Sequence, residues 1–224
     1  MRSRVRALLL AGMAAAMVAG ALPVQAMSYS FADFDTGQCQ PACPSVIVAT
    51  GDITGNEDEE LAWFLRHAGR GKLVGRLVMI HSPGGNMAGG MRLGAFLRQN
   101  KASVMVAQVS GSAVTQSDGL AGGLCGSACV LVLAGGVQRI VPPGSVVAVH
   151  GAAQVQTHVH DHMAGTVRSL QVDRGEVAAV MGQYYRRMGV SAQLATLSES
   201  VPQTQVRVLT APEMTKMRLA RTRF

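Results

Sequence analysis

Aromatic side chains are scarce in this chain. One Trp, three Tyr and five Phe serve 224 residues. Charge is thin as well, at 15% of residues, with no dense basic stripe after the first few positions. The formal net charge of +7 falls to +4 once Arg2, Arg4 and Arg6 are set aside. Stacking platforms and phosphate-neutralising patches are both missing, which argues against nucleic acid as a partner. Internal repeats and long low-complexity linkers are absent too. With a chain of this length, that leaves one domain of ordinary size, able to bury a core.

The first 26 residues contrast with the rest. Arg2, Arg4 and Arg6 precede an apolar, small-residue run from Ala7 to Ala21, and Val24-Gln25-Ala26 has the small-residue form of a cleavage site. This is the pattern of a secretory signal peptide. An uncleaved anchor is the competing reading, but the run is short for a span of about 20 residues. We therefore expect an exported protein, periplasmic or secreted, with residues 27–44 as a polar, turn-rich lead-in and 45–224 as the folded domain.

Export bears on the four cysteines, Cys39, Cys43, Cys125 and Cys129. An oxidising compartment favours disulfides. Both pairs have three intervening residues, which is neither zinc-ribbon spacing nor the two-residue redox motif, so metal and thiol exchange are weak readings. Pairing within Cys39/Cys43, pairing from that segment to Cys125 or Cys129, and free buried thiols all stay open.

Strand and helix patterns alternate along the remainder. Ser45–Thr50, Leu77–His81, Ala102–Val109 and Ser145–Val149 are short apolar runs that read as strands. Asn56–Ala68 and Asn86–Arg98 read as amphipathic helices, the first with Glu57, Asp58, Glu59 and Glu60 in its opening turn, where acids suit the dipole. Residues 110–126 read as a Gly- and Ser-rich loop, and Ala128–Ala134 as a helix apolar on every side and hence buried. Thr157–Arg187 reads mostly as a longer helix, and Thr210-Ala211-Pro212-Glu213 matches a capping box. Continuous apolar strands imply a sheet covered on both faces, so the fold class is α/β with a largely parallel sheet.

Three pieces suggest chemistry. Ser127 lies in Gly126-Ser127-Ala128-Cys129, ahead of the buried helix. His150 ends the fourth strand, where side chains reach the rim of an α/β sheet. Ser82-Pro83-Gly84-Gly85 follows one strand and precedes a helix, with glycines that free the backbone to approach a bound group. A serine needs a base to remove its proton. A tetrahedral oxyanion needs convergent N–H donors, and Gly85 (or Gly84) and Ala128 could supply them. Taken singly, these are an N-cap, a strand-end histidine and a turn; their order is what points to acyl transfer.

That order resembles the Clp protease proteolytic subunit, within the wider Clp/crotonase superfamily. His81-Ser82-Pro83-Gly84-Gly85 with Ala88-Gly89 resembles its oxyanion turn. Gly126-Ser127-Ala128 with Val130–Gly136 resembles its nucleophile segment and buried helix. Pro143–His150 resembles the strand bearing its histidine, and Leu209–Glu213 its late helix start. The resemblance covers about residues 45–220 and looks closest to secreted bacterial relatives that place cysteines around the serine, rather than to the ATP-dependent protease. It implies stacked ββα units, Ser127 as nucleophile, His150 as base, Gly84 or Gly85 with Ala128 as oxyanion donors, a peptide or protein substrate, self-association, and no cofactor or ATP. The family's aspartate does not carry over, because Val206-Arg207-Val208 stands at its place. Asp173 and Glu199 are the nearest acids, each read as a solvated surface charge, which leaves a Ser–His dyad steadied by a backbone carbonyl.

The cluster His158, His160, Asp161 and His162 reads as a solvated polar loop, with weak metal binding as its alternative. A non-catalytic binding or assembly module is the main alternative for the whole chain. A crotonase-type acyl-CoA enzyme is a lesser one, disfavoured by export away from CoA.

Overall fold

β1 (Ser28–Asp35) pairs antiparallel with β2 (Ser45–Thr50), placing Tyr29 opposite Ala49 and Phe31 opposite Ile47. The computed structural model describes residues 25–35, 45–68, 76–109, 113–115, 120–152, 159–160, 167–168 and 173–221. After β2 the chain forms α1 (Glu57–His67), β3 (Leu77–His81), α2 (Met87–Gln99) and β4 (Ser103–Val109). β2, β3 and β4 run parallel, with Ile47 opposite Val78 and Val78 opposite Val104.

Successive strand residues face opposite sides of a sheet, and here both sides are buried. Ile47, Ala49, Val78, Ile80, Val104 and Val106 join Leu61 and Leu65 of α1 and Leu93 and Leu97 of α2 in the main core. Val46, Val48, Met79, Met105 and Ala107 point the other way into a smaller cluster with Ala32. Strands flanked by apolar groups on both sides have no use for polar alternation, which is why they appear in the sequence as continuous Val/Ile runs.

Beyond β4 come β5 (Ala113–Thr115), β6 (Leu120–Gly122), β7 (Leu124–Gly126), α3 (Cys129–Gly135), β8 (Arg139–Ile140) and β9 (Val146–Val149). The principal sheet has the order β5-β1-β2-β3-β4-β6, with β8 also on β4. The chain continues through β10 (Val159–His160), β11 (Val167–Arg168), α4 (Arg174–Arg187), α5 (Gln193–Ser200), β12 (Arg207–Val208) and α6 (Ala211–Lys216). β12, β9 and β7 form a second sheet. Every residue of α3 is buried. The result is a mixed α/β fold with a parallel core, and the expected capping box at Thr210 and Glu213 is formed in full.

Four expectations change. Residues 28–35 are a strand rather than lead-in. Phe31 and Tyr29 pack on Phe64 against the main core, while Ala32 turns to the smaller cluster on the other face. The stretch 110–126 contains β5, β6 and β7, strands of three residues held by long-range pairing rather than by their own propensity. Within 157–187 the helix begins only at Arg174, capped by the Asp173 carboxylate accepting from Gly175 and Glu176. Upstream of it, β10 and β11 pair antiparallel. Finally, α5 was not anticipated. Among the described residues no helix is long and apolar enough to cross a membrane; the signal-peptide reading concerns residues that, up to 24, lie outside those described.

Candidate active site

Backbone hydrogen bonds bring the Ser82–Gly85 turn against the Ser127 turn. Ser82 N–H donates to Leu124 O (2.8 Å) and Gly126 N–H donates to Ser82 O (3.0 Å). Leu124 N–H donates to His81 Nδ1 at 3.1 Å. Inside the turn, the fully buried Ser82 hydroxyl accepts from Gly84 N–H. On its other side, Ile53 N–H donates to Gly84 O and Asn86 N–H to Ile53 O. Gly84 and Gly85 have φ of +114° and +130°, which side chains rarely tolerate. A Cβ on Gly84 would sit 2.7 Å from the Ser127 Cβ, and one on Gly85 would sit 2.2 Å from Ile53 O.

Ser127 itself has φ +51°. A left-handed backbone at a residue other than glycine is disfavoured by roughly 1–2 kcal/mol. Here it is fixed by Ser127 N–H donating to Ala148 O and by Ser127 O accepting from Val130 N–H. The first of these bonds extends the β7–β9 pairing, in which Gly126 faces Ala148. His150 therefore follows two residues after Ser127's own partner.

The His150 Nδ1 lies 2.8 Å from Gly151 O. A carbonyl only accepts, so Nδ1 carries the proton and Nε2 of the neutral ring is left as the proton acceptor. Ser127, His150, Gly85 and Ala128 all line one cleft of about 360 Å³. No hydrogen bond joins the Ser127 hydroxyl to the His150 ring. Catalytic bonds of this type often tighten only around substrate. Among the described residues, neither the Gly85 amide nor the Ala128 amide donates to any acceptor. Two idle N–H groups beside a hydroxyl are the raw material of an oxyanion hole.

Cys125 and Cys129 are joined in a disulfide, and both are fully buried. This excludes a bridge from the N-terminal segment to either of them, one of the pairings the sequence left open. The bond spans Ser127, from the middle residue of β7 to the first residue of α3. Cys39 and Cys43 lie outside the described residues, as do His158, Asp161 and His162; of His160 only the backbone in β10 is described.

Two acids depart from the sequence reading. Glu199, on α5, is 8% exposed and lines the same cleft as Ser127 and His150. Its carboxylate accepts from Ala152 N–H at 3.0 and 3.3 Å. Asp173, by contrast, is spent on capping α4. The signal for Glu199 was available in the spacing of Leu194, Ala195 and Ser198, which defines a buried face on an eight-residue helix. Tyr185 and Met181 of α4 complete the cleft wall. Burial, then Tyr184 and Glu199, pushes the Tyr185 phenol up, so it stays neutral.

Glu57 is the second. It stands in the first turn of α1, where an acid suits the dipole, and it is fully buried. Its carboxylate accepts from the Thr54 amide and hydroxyl and from the Gly55 amide. It thereby anchors the segment after Ile53 on which the Gly84–Gly85 turn rests. Burial acts to raise its pKa, but the hydrogen bonds from Gly55 and Thr54 outweigh this and hold it below the usual carboxylate range. A carboxylate depressed in the folded state stabilises fully above its unfolded value of about 4.3, and the contribution is lost as pH falls through the folded value. Glu57→Gln is therefore expected to lower stability at neutral pH by about 1–3 kcal/mol and to flatten the acid limb. Thermal melts of both proteins between about pH 3 and 7 test this; parallel curves would refute it.

No protein-family model matches the chain, nor does any curated protein. Among solved structures, an alanine mutant of the 1510-N membrane-bound stomatin-specific protease is similar at 15% identity. The match covers 78% of this chain and 76% of that one, with a TM-score of 0.47. The same protease in complex with a substrate peptide is similar at 15% identity over 78% and 72%, with a TM-score of 0.47. ClpP1 from Listeria monocytogenes is similar at 13% identity over 77% and 86%, with a TM-score of 0.49. At such identities and TM-scores these likenesses say nothing of chemistry, and the chemistry of the cleft is read from its own atoms.

Proposed function

We propose that the protein is an exported serine peptidase working through a Ser127–His150 dyad. The observation that carries this reading is the meeting, in one cleft, of Ser127 on its left-handed turn, His150 with Nε2 free to accept, and the unengaged amides of Gly85 and Ala128. The Ser127 hydroxyl attacks a substrate carbonyl while His150 Nε2 takes its proton. The Gly85 and Ala128 amides hold the resulting oxyanion. His150 then protonates the leaving amine, and water, activated by the same ring, releases the acyl group. The Gly151 carbonyl takes the orienting place of an acid, keeping the proton on Nδ1. A carbonyl stabilises the developing imidazolium less than a carboxylate does, so turnover is slow relative to a full triad. Self-association is part of the proposal, since the resemblance is to assembled proteases.

The test is covalent labelling by a fluorophosphonate probe from neutral to alkaline pH. Labelling should fall on Ser127 and vanish in Ser127→Ala. A folded, disulfide-bonded protein that stays unlabelled would remove the proposal. It would also favour a binding module, the reading supported by the absent acid: Val206 and Val208 are exposed and Arg207 is engaged with Glu213.

A further inference from the structure

Glu199 is a buried carboxylate. Among the described residues no cation lies within ion-pair distance of its carboxylate. Arg174, the nearest in sequence to matter, donates instead to the Glu199 backbone carbonyl at 3.3 Å. A carboxylate offers about four acceptor positions, and here the single Ala152 N–H, shared between both oxygens, meets only part of that capacity. Burying a carboxylate this way is unfavourable unless something pairs with it.

One role for Glu199 is already filled. An acid behind the catalytic histidine would bond to its Nδ1, and in this structure Nδ1 is turned to Gly151 O. The carboxylate instead belongs to the cleft wall. Around it the wall is apolar, with Met87, Leu131, Val177 and Met181, and Tyr185 adds a neutral ring. Such a lining suits a long aliphatic stem, while the carboxylate suits a positive head at its end.

We infer that Glu199 is a specificity-determining residue that makes this cleft select a substrate with a lysine or arginine side chain next to the bond attacked by Ser127. The inference rests on the serine peptidase reading. It names the substrate class, which that reading leaves open. An anionic side chain would meet like charge at the same point and be rejected.

The experiment uses the full-length, disulfide-bonded protein and two peptidyl diphenyl phosphonate probes, identical except for lysine or norleucine at the side chain nearest phosphorus. Both have the same stem; only the charge differs. The lysine probe should label Ser127 about ten- to a hundred-fold faster, the range expected for a hydrogen bond between charged groups. Glu199→Gln should bring the two rates together while the norleucine rate stays within about three-fold of native. Glu199→Asp, which keeps the charge, should retain a preference and guards against a variant that merely disturbs Ala152. Equal rates for both probes on the native protein overturn the inference and leave the peptidase reading intact. Labelling by the fluorophosphonate but by neither peptidyl probe has the same meaning. Silence of all three probes overturns both.

Discussion

His150→Ala is expected to slow phosphonylation of Ser127 by about 10²–10⁴-fold, the usual contribution of a positioned general base, and to leave the fold intact. The ring is half-buried, and its one described bond is to Gly151 O. Truncation therefore frees a carbonyl near the surface of a cleft rather than opening a cavity in the core. Melting temperature should shift by no more than a surface substitution causes, within about 0.5 kcal/mol. A variant that labels as fast as native would show that His150 takes no part.

Gly85→Ala is expected to cause the second large loss, by a different route. The added methyl would lie 2.2 Å from the Ile53 carbonyl oxygen on a backbone at φ +130°. The three nearest atoms all belong to the Ile53 backbone, not to a flexible side-chain end that could step aside. Ile53 is itself fixed through Gly84 and Asn86 on one side and, through Thr54 and Gly55, by Glu57 on the other. Strain of about 1–3 kcal/mol should appear as lost stability. Displacement of the Gly85 amide should cost a further 10²–10³-fold in acylation, about what one oxyanion donor contributes. Gly189→Ala is the control. Gly189 also has positive φ, at +73°, but nothing lies within 4 Å of its Cβ position. It should lose about 1 kcal/mol and keep full reactivity. Equal behaviour of the two variants would mean that the turn does not hold a reactive amide.

Much of the framework was legible in the sequence because its signals were local. β2, β3, α1 and α2 fall within a residue or two of the runs that announced them, and α3 is as buried as its unbroken apolar composition required. The positions that escaped are fixed by distant partners. β7 owes its three-residue strand to β9 and to Ser82, neither of which is close in sequence. The polar residues of β1 look like a linker until Phe64 is there to receive Tyr29 and Phe31. Glu57 and Glu199 carry the same lesson for the cleft. A carboxylate in a first helical turn is exposed in most chains, but α2 comes so close to this one that a Cβ on Gly89 would sit 2.8 Å from its Oε2. For Glu199 the helix was missed, so its residue could not be given a face. The three segments singled out from their order alone, around Gly85, Ser127 and His150, are close in space because β3, β7 and β9 deliver their ends to the same rim.

The Cys125–Cys129 bond makes oxidation state and local geometry a single variable. A chain with free thiols has the same composition and can keep the same strands and helices, yet the five-residue ring that holds the Ser127 hydroxyl is open. Buffers containing dithiothreitol or expression in a reducing cytosol would thus yield a protein that passes every bulk check of folding while lacking the feature under study. Mass measurement of the unreduced proteolytic fragment that holds both Cys125 and Cys129, two hydrogens lighter when the ring is closed, is the control that has to precede any statement about whether the molecule is active.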